Sequence, residues 1–364
     1  MRIMIVAALL TLPLHLSDGL PAAAADTSRK TFELDTRGGR IEGTPLVQTD
    51  RGIELLSRDG RIFTIATDDA RRLKPLPSPF ETYPTAVLRN HLQDELGRSF
   101  RVVGSGHYLV ALPLGVRTNW AERFEELYRS FSLYFSVRGF PLKEPPFPFI
   151  AIVWPNQESY LRAARAEGSN VGPSVVGHYS PVSNRIMLYD MSAGQGGVEE
   201  LRETNATLIH EATHQVAFNT GVHQRFGQSP RWLVEGLGMM FEAPGVSNSR
   251  AHRRREDRIN RDRLSYFQKR VAPTHKPDRL QELVSSDRLF ASDPLGAYAE
   301  AWALSFYLVE TEPRKYCEYL ALTARHPPFR AYTPAERLAD FTSVFGDNFR
   351  MHDARMMRFI ADLR

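Results

Sequence analysis

Apolar residues recur along this chain with two different periods, and the change from one to the other divides it. Between residues 31 and 66 the period is two: Thr31-Phe32-Glu33-Leu34 alternates, and Asp59-Gly60 joins the runs 53–57 and 61–66 as a tight hairpin. Short strands separated by Gly and Asp turns predict a small, SH3-like β-barrel unit over residues 26–73. Residues 74–84, with Pro75, Pro77 and Pro79, read as a linker. Residues 85–364 form the second unit, in which a period of three to four dominates. Trp120, Phe124, Leu127, Phe131 and Tyr134 mark one face of a helix over 119–137, with Asn119 as its cap. Residues 149–154 are an unbroken apolar run, hence a buried strand, and Pro155-Asn156 turns into a helix ending at Ala166. Residues 175–179 and 185–189 pair as a hairpin around 181–184. Asp293-Pro294 and Thr333-Pro334-Ala335-Glu336 both open helices, the second with a capping box. The whole predicts an α+β protein, a mainly helical domain with a small mixed sheet, preceded by a small all-β unit.

The helix that matters for chemistry lies near the middle. Ile209, Ala212 and Val216 give it a core-facing stripe, and Gly221 stops it. It contains His210-Glu211-Ala212-Thr213-His214, the pattern H-E-x-x-H. Residues four apart share a face, so the two imidazoles point at a common spot, and Glu211 sits beside it. Two histidines alone can equally belong to a solvated face; a zinc site needs a third ligand. Past Ser229-Pro230, a second helix runs through Arg231-Trp232-Leu233-Val234-Glu235-Gly236-Leu237-Gly238-Met239-Met240-Phe241-Glu242. Glu235 is the lone acid among apolar residues, and a buried carboxylate needs a cation: a metal, or else an arginine. Glu242, two turns on along the same face, can accept the second ring N–H of a liganding histidine.

H-E-x-x-H followed by W-L-x-E-G and a further Glu resembles the gluzincin zinc metallopeptidases. More closely, it resembles a group of bacterial secreted proteins with a peptidase-like fold, many described only as a domain of unknown function. The resemblance covers roughly residues 85–364, and its specific part is 208–242. It implies Zn2+ held by His210, His214 and Glu235, Glu211 as general base, and a peptide or protein substrate. Thermolysin-like members carry an acid four residues after the third ligand; here that position is Met239, and Glu242 matches the spacing of the aminopeptidase-like branch. That branch's Gly-Ala-Met-Glu-Asn motif is missing, so an aminopeptidase specificity is unsupported. The resemblance also implies a hydroxyl donor for the developing oxyanion, for which Tyr298 is the candidate with Tyr307 behind it. It further implies a cleft-edge strand, assigned to Val175, Val176, Gly177, His178 and Tyr179, that binds extended substrate by strand addition.

Composition narrows the setting. The 364 residues carry 46 basic and 42 acidic side chains, a net charge of +4 that is no argument for nucleic acid. The basic block from Arg250 to Arg263 is interleaved with Glu256, Asp257 and Asp262 and reads as a solvated helical face, with no specific nucleic-acid partner. Arg2, the apolar run 3–16 and Ala22-Ala23-Ala24-Ala25 read as a signal peptide over 1–25, implying an exported protein, periplasmic or extracellular. No later segment is apolar enough to span a membrane. Cys317, the single cysteine, cannot form an intrachain disulfide and reads as a core residue. The stretch 194–197, glycine-rich without a phosphate-loop lysine, reads as a flexible approach to the H-E-x-x-H helix. The sequence sets no oligomeric state. Two other functions stay open: a noncatalytic binding protein with a structural or degenerate zinc site, and a zinc hydrolase acting on a bond other than the peptide bond.

Overall fold

A computed structural model describes residues 30–36, 38–49, 52–116, 118–191 and 198–363. The signal-peptide segment and the 194–197 stretch lie outside the described residues. The protein is α+β: an all-β unit, then a mainly helical domain around a small mixed sheet.

The N-terminal unit is a five-stranded antiparallel sheet of β1 (Lys30–Thr36), β2 (Gly39–Thr49), β3 (Gly52–Ser57), β4 (Ile62–Ala66) and β5 (Lys74–Pro79), in the order β4-β3-β2-β1-β5. Leu34, Leu55 and Ile65 meet on one face, whereas in the alternating run Thr31 is buried and Phe32 only partly so. The linker expectation needs correcting at its first half. Residues 74–79 are β5, paired antiparallel with β1 through Phe32↔Pro75 and Glu33↔Lys74. Prolines are tolerated there because β5 is an edge strand with one side free of ladder bonds.

The second sheet has the order β6-β7-β8-β10-β9, formed by β6 (Phe100–Ser105), β7 (Tyr108–Pro113), β8 (Phe149–Trp154), β9 (Gly177–Ser180) and β10 (Arg185–Tyr189). β7, β8 and β10 run parallel, and β6 and β9 close the two edges antiparallel. Parallel strands are buried on both faces. On one face, Leu109, Ala111, Ile150 and Ile152 meet Leu88 and Leu92 of α1 (Thr85–Leu96). On the other, Tyr108, Val110, Phe149, Ala151, Ile186 and Leu188 join the main helical core.

That core is built by the longer helices. α2 (Trp120–Ser136) buries the predicted stripe of Trp120, Phe124, Leu127, Phe131 and Tyr134. α3 (Gln157–Ala166) starts where Asn156 accepts the Ser159 N–H at 2.9 Å. α4 (Val198–Asn219) carries H-E-x-x-H, and α5 (Arg231–Phe241) follows the Pro230 stop. α6 (Pro294–Thr311), capped by Asp293 on the Gly296 N–H, is buried from Gly296 to Val309 and lies against α5. α7 (Pro313–Ala324), which buries Cys317, α8 (Pro334–Phe345), with the predicted capping box, and α9 (Phe349–Ala361) complete the domain. The basic block is not one solvated helix. It divides into a turn, a 3-10 helix at Arg255–Arg258 and an α-helix at Arg261–Tyr266, and Arg263 turns inward over the Tyr298 ring. No helix among the described residues is long and apolar enough to cross a membrane.

Candidate metal centre

α4 and α5 pack face to face, and their buried polar residues meet at that contact. His210 Nε2 lies 2.9 Å from His214 Nε2 and 3.3 Å from Glu235 Oε2; His214 Nε2 lies 3.6 Å from the same oxygen. A tetrahedral zinc with ligand bonds near 2.05 Å separates its donors by roughly 3.3 Å. The donor set and spacing therefore fit one zinc ion, and all three residues are buried. They come from two helices, so the site is set by tertiary packing rather than by one local turn.

The supporting contacts are asymmetric. His210 Nδ1–H donates to Glu242 Oε1 at 2.8 Å, which fixes the tautomer leaving the Nε2 lone pair in the site. Glu242 is held in turn by Asn260, whose Nδ2 donates to Glu242 Oε2 at 2.7 Å and to the Met239 carbonyl at 3.0 Å. His214 Nδ1 has no hydrogen-bond partner among the described residues. Both rings abut Gly238: a Cβ there would lie 2.8 Å from His210 Cε1 and 3.0 Å from His214 Cε1. Only glycine lets α5 approach the imidazoles this closely.

The electrostatics of the metal-free protein follow from this crowding. Burial works against a charged His210, but its hydrogen bonds to Glu235 and Glu242 outweigh it and carry the pKa up to about 10. Burial also opposes a charged Glu235, yet His210 and His214 hold it well below the usual carboxylate range. Burial and the neighbouring His210 push His214 down to about 4. A metal ion entering among these nitrogens has to displace any proton they carry.

Glu211 stands beside the three donors, fully buried. Its Oε2 accepts the Tyr179 backbone N–H at 2.6 Å, and its Oε1 has no hydrogen-bond partner among the described residues. Burial pushes its pKa up to about 8, with His210 pulling the other way and Glu235 adding to the rise. A carboxylate raised into this range is suited to taking and returning a proton near neutral pH.

Tyr298, on α6, is brought to the outer side of Glu235. Its hydroxyl accepts from Arg231 Nη2 at 3.0 Å, and Arg231 Nε lies 3.6 Å from Glu235 Oε1. Glu235 therefore meets an arginine as well as the histidines, the arginine being the partner expected as the alternative to a metal. Burial raises the phenol pKa, and Glu235 raises it further, keeping Tyr298 a neutral donor. Tyr307, one helix face away, packs its ring on Phe359.

The expected substrate strand differs from its description. β9 begins at Gly177, not Val175, and Val175, Val176, Gly177, His178 and Tyr179 are all buried. α4 packs against β9, and the Tyr179 N–H is already engaged by Glu211, so this is no exposed edge. His178 is a core histidine here: its Nδ1 pairs with the Tyr160 hydroxyl at 2.8 Å.

Several contributors escaped sequence reasoning. Asn260, Gly238 and the Tyr179 backbone act through contacts between distant segments, and Arg231 joins Glu235 one turn away to Tyr298 on another helix. Two local signals exist: the glycines of Glu235-Gly236-Leu237-Gly238, because glycine is costly inside a helix unless something must come close, and the i,i+4 spacing of Arg231 and Glu235. His223, buried on Phe218 with both ring nitrogens unpartnered among the described residues, is a further histidine near the site.

Residues 204–330 match a family described as a protein of unknown function, DUF1570. No curated protein matches the chain in sequence. Among solved structures, the chain is similar to a mutant M1 zinc metallopeptidase from Deinococcus radiodurans, at 13% identity and a TM-score of 0.39, covering 92% of this chain and 60% of that one. A second structure of that mutant, bound to a Tyr-Ser-Ala substrate, matches at 14% identity and a TM-score of 0.36, over 73% of this chain and 51% of that one. The chain thus spans less than two thirds of the length of these structures.

Proposed function

We propose that this protein is an exported zinc-dependent hydrolase that cleaves peptide bonds. The observation that carries the reading is the convergence of His210 Nε2, His214 Nε2 and one Glu235 oxygen, with Glu211 Oε1 beside them unpaired among the described residues. His210, His214 and Glu235 would hold the ion, leaving a position for water and substrate, as three-protein-ligand zinc sites do. When bound, zinc supplies Lewis acidity that lowers the pKa of a water toward neutrality.

The rest falls to the chain. Glu242 and Asn260 hold the His210 ring, and Arg231 steadies the outer Glu235 oxygen. The Tyr179 N–H fixes one oxygen of Glu211, so its other oxygen is free to accept a proton and pass it to the leaving amine. Tyr298 is the neutral donor assigned to the developing oxyanion. Placement outside the cytoplasm rests on the leader-like first 25 residues.

The test is digestion of proteome-derived peptides by the zinc-loaded protein, read by mass spectrometry. Glu211→Gln should keep one zinc per chain and lose cleavage. Turnover retained in Glu211→Gln would overturn the base assignment, and a wild-type chain that binds no zinc would overturn the reading itself.

A further inference from the structure

Arg225 lies on the loop after α4 and is only 5% exposed. A guanidinium withdrawn from water needs acceptors for its N–H groups. It finds two backbone carbonyls in distant parts of the chain. Nε donates to the Pro181 carbonyl at 2.9 Å, in the turn between β9 and β10. Nη2 donates to the Gly60 carbonyl at 2.5 Å, at the tip of the β3–β4 hairpin of the N-terminal unit. The same junction is fastened by the Ile62 N–H on the Val182 carbonyl at 2.9 Å, and by an apolar cluster of Leu56, Ile62 and Phe147 with Val182 and Phe226.

The β9–β10 turn gripped in this way also carries Asn184, a non-glycine residue in the left-handed region at φ 58. Asn184 Oδ1 accepts the Tyr179 hydroxyl at 2.8 Å and Asn219 Nδ2 at 2.8 Å, and its carbonyl accepts Gln215 Nε2 at 2.8 Å. Tyr179, fixed by that network, is the residue whose backbone N–H holds Glu211 at 2.6 Å. Contacts therefore run without a gap from the Gly60 carbonyl, through Arg225 and the turn, to the Glu211 carboxylate.

We propose that the N-terminal sheet, acting through the Gly60 carbonyl and Arg225, is a positioning element for Glu211: it fixes the β9–β10 turn and with it the Tyr179 N–H that orients the carboxylate. Arg225 is a positioning residue, and the β unit is part of the working site rather than a separate binding module. The catalytic consequence rests on the hydrolase reading above; the positional one does not. Lysine cannot replace Arg225 fully, because its point-like ammonium lacks the fork that spans two carbonyls.

The test uses the full chain, zinc-loaded, in three forms: Arg225→Met, Arg225→Lys and Gly60→Ala. Gly60 sits at φ +90, and a Cβ there would lie 3.1 Å from Phe147 Cγ and 3.3 Å from Asn184 Nδ2. The substitution therefore disturbs the turn from the N-terminal side without touching α4 or α5. In hydrogen exchange, the fragment containing Tyr179 should exchange faster in Gly60→Ala and Arg225→Met than in wild type, with Arg225→Lys between. Peptide kcat should fall by roughly 10- to 100-fold with KM and zinc content unchanged, since small misplacements of a reacting group cost rate of that order. Wild-type exchange at Tyr179 together with kcat within twofold in Gly60→Ala overturns the proposal, and this variant decides the matter if Arg225→Met does not fold. A wild-type protein that cleaves nothing overturns the hydrolase reading, while exchange at Tyr179 still decides whether the N-terminal sheet positions the turn.

Discussion

Gly238→Ala is the substitution whose outcome the site geometry fixes most closely. Alanine is ordinarily the better helix former, by about 1 kcal/mol over glycine in a helix interior. Gly238 has ordinary helical backbone in the middle of α5, so propensity alone predicts stabilisation. The packing predicts the opposite. The added Cβ would stand 2.8 Å from His210 Cε1, 3.0 Å from His214 Cε1 and 3.1 Å from His210 Nδ1. Reaching an ordinary separation of 3.4 Å or more requires the His210 ring to retreat by about 0.6 Å. Nδ1, on the side of the ring that faces α5, is held by the 2.8 Å bond to Glu242, one turn on from Gly238, so retreat stretches this bond and spreads the donors. Overpacking of this kind costs about 1–3 kcal/mol, which cancels or exceeds the propensity gain. Zinc affinity bears the larger change: disturbing a ligand's support lowers it by about 10- to 100-fold. The assay is competition against a chelator of known zinc affinity, paired with thermal unfolding of the metal-free protein. If Gly238→Ala raised the melting temperature by the ~2–4 °C that 1 kcal/mol gives in a domain of this size, and bound zinc as wild type does, the packing argument would be refuted.

Two further outcomes follow from the same geometry. Glu242→Ala removes the acceptor for His210 Nδ1–H, so zinc affinity should fall about 10- to 100-fold by chelator competition, with far-UV circular dichroism unchanged; an unaltered affinity would show that His210 orients itself. The second concerns acid stability. Burial lowers the His178 pKa to about 4, against about 6.5 for a free imidazole. Between those values the unfolded chain binds a proton that the folded one refuses, so stability falls as pH drops from 6.5 to 4, by up to about 3 kcal/mol from this residue. His178→Gln should flatten that part of the melting-temperature profile, and an unchanged slope would assign the proton elsewhere.

The legibility of this chain follows the range of the interactions. The face carrying Trp120 to Tyr134, the Asn156 and Asp293 caps and the Thr333–Glu336 capping box are local devices, and sequence spacing was enough to place them. The pairing of His210 with His214 is local too, being one turn of one helix. The approach of Glu235 could be anticipated because an acid among Trp232, Leu233, Val234 and Leu237 has to answer to some charge. Arg231 reaches Glu235 from one turn away and Tyr298 reaches Arg231, and no spacing rule ties residue 298 to residue 231. Pro75, Pro77 and Pro79 resemble punctuation and so point to a linker; an edge strand with one unpaired side accommodates them. Burial of 175–179 depends on α4 lying against β9, which is a tertiary fact without a local signature.

A backbone amide has a single hydrogen to give, and at Tyr179 it is already given. An extended chain laid alongside β9 as a sixth strand would ask for that same hydrogen. It could have it only by turning Glu211 loose, so a strand added at β9 and restraint of the carboxylate exclude one another. A ligand docking there would, in arriving, hand the acid its mobility.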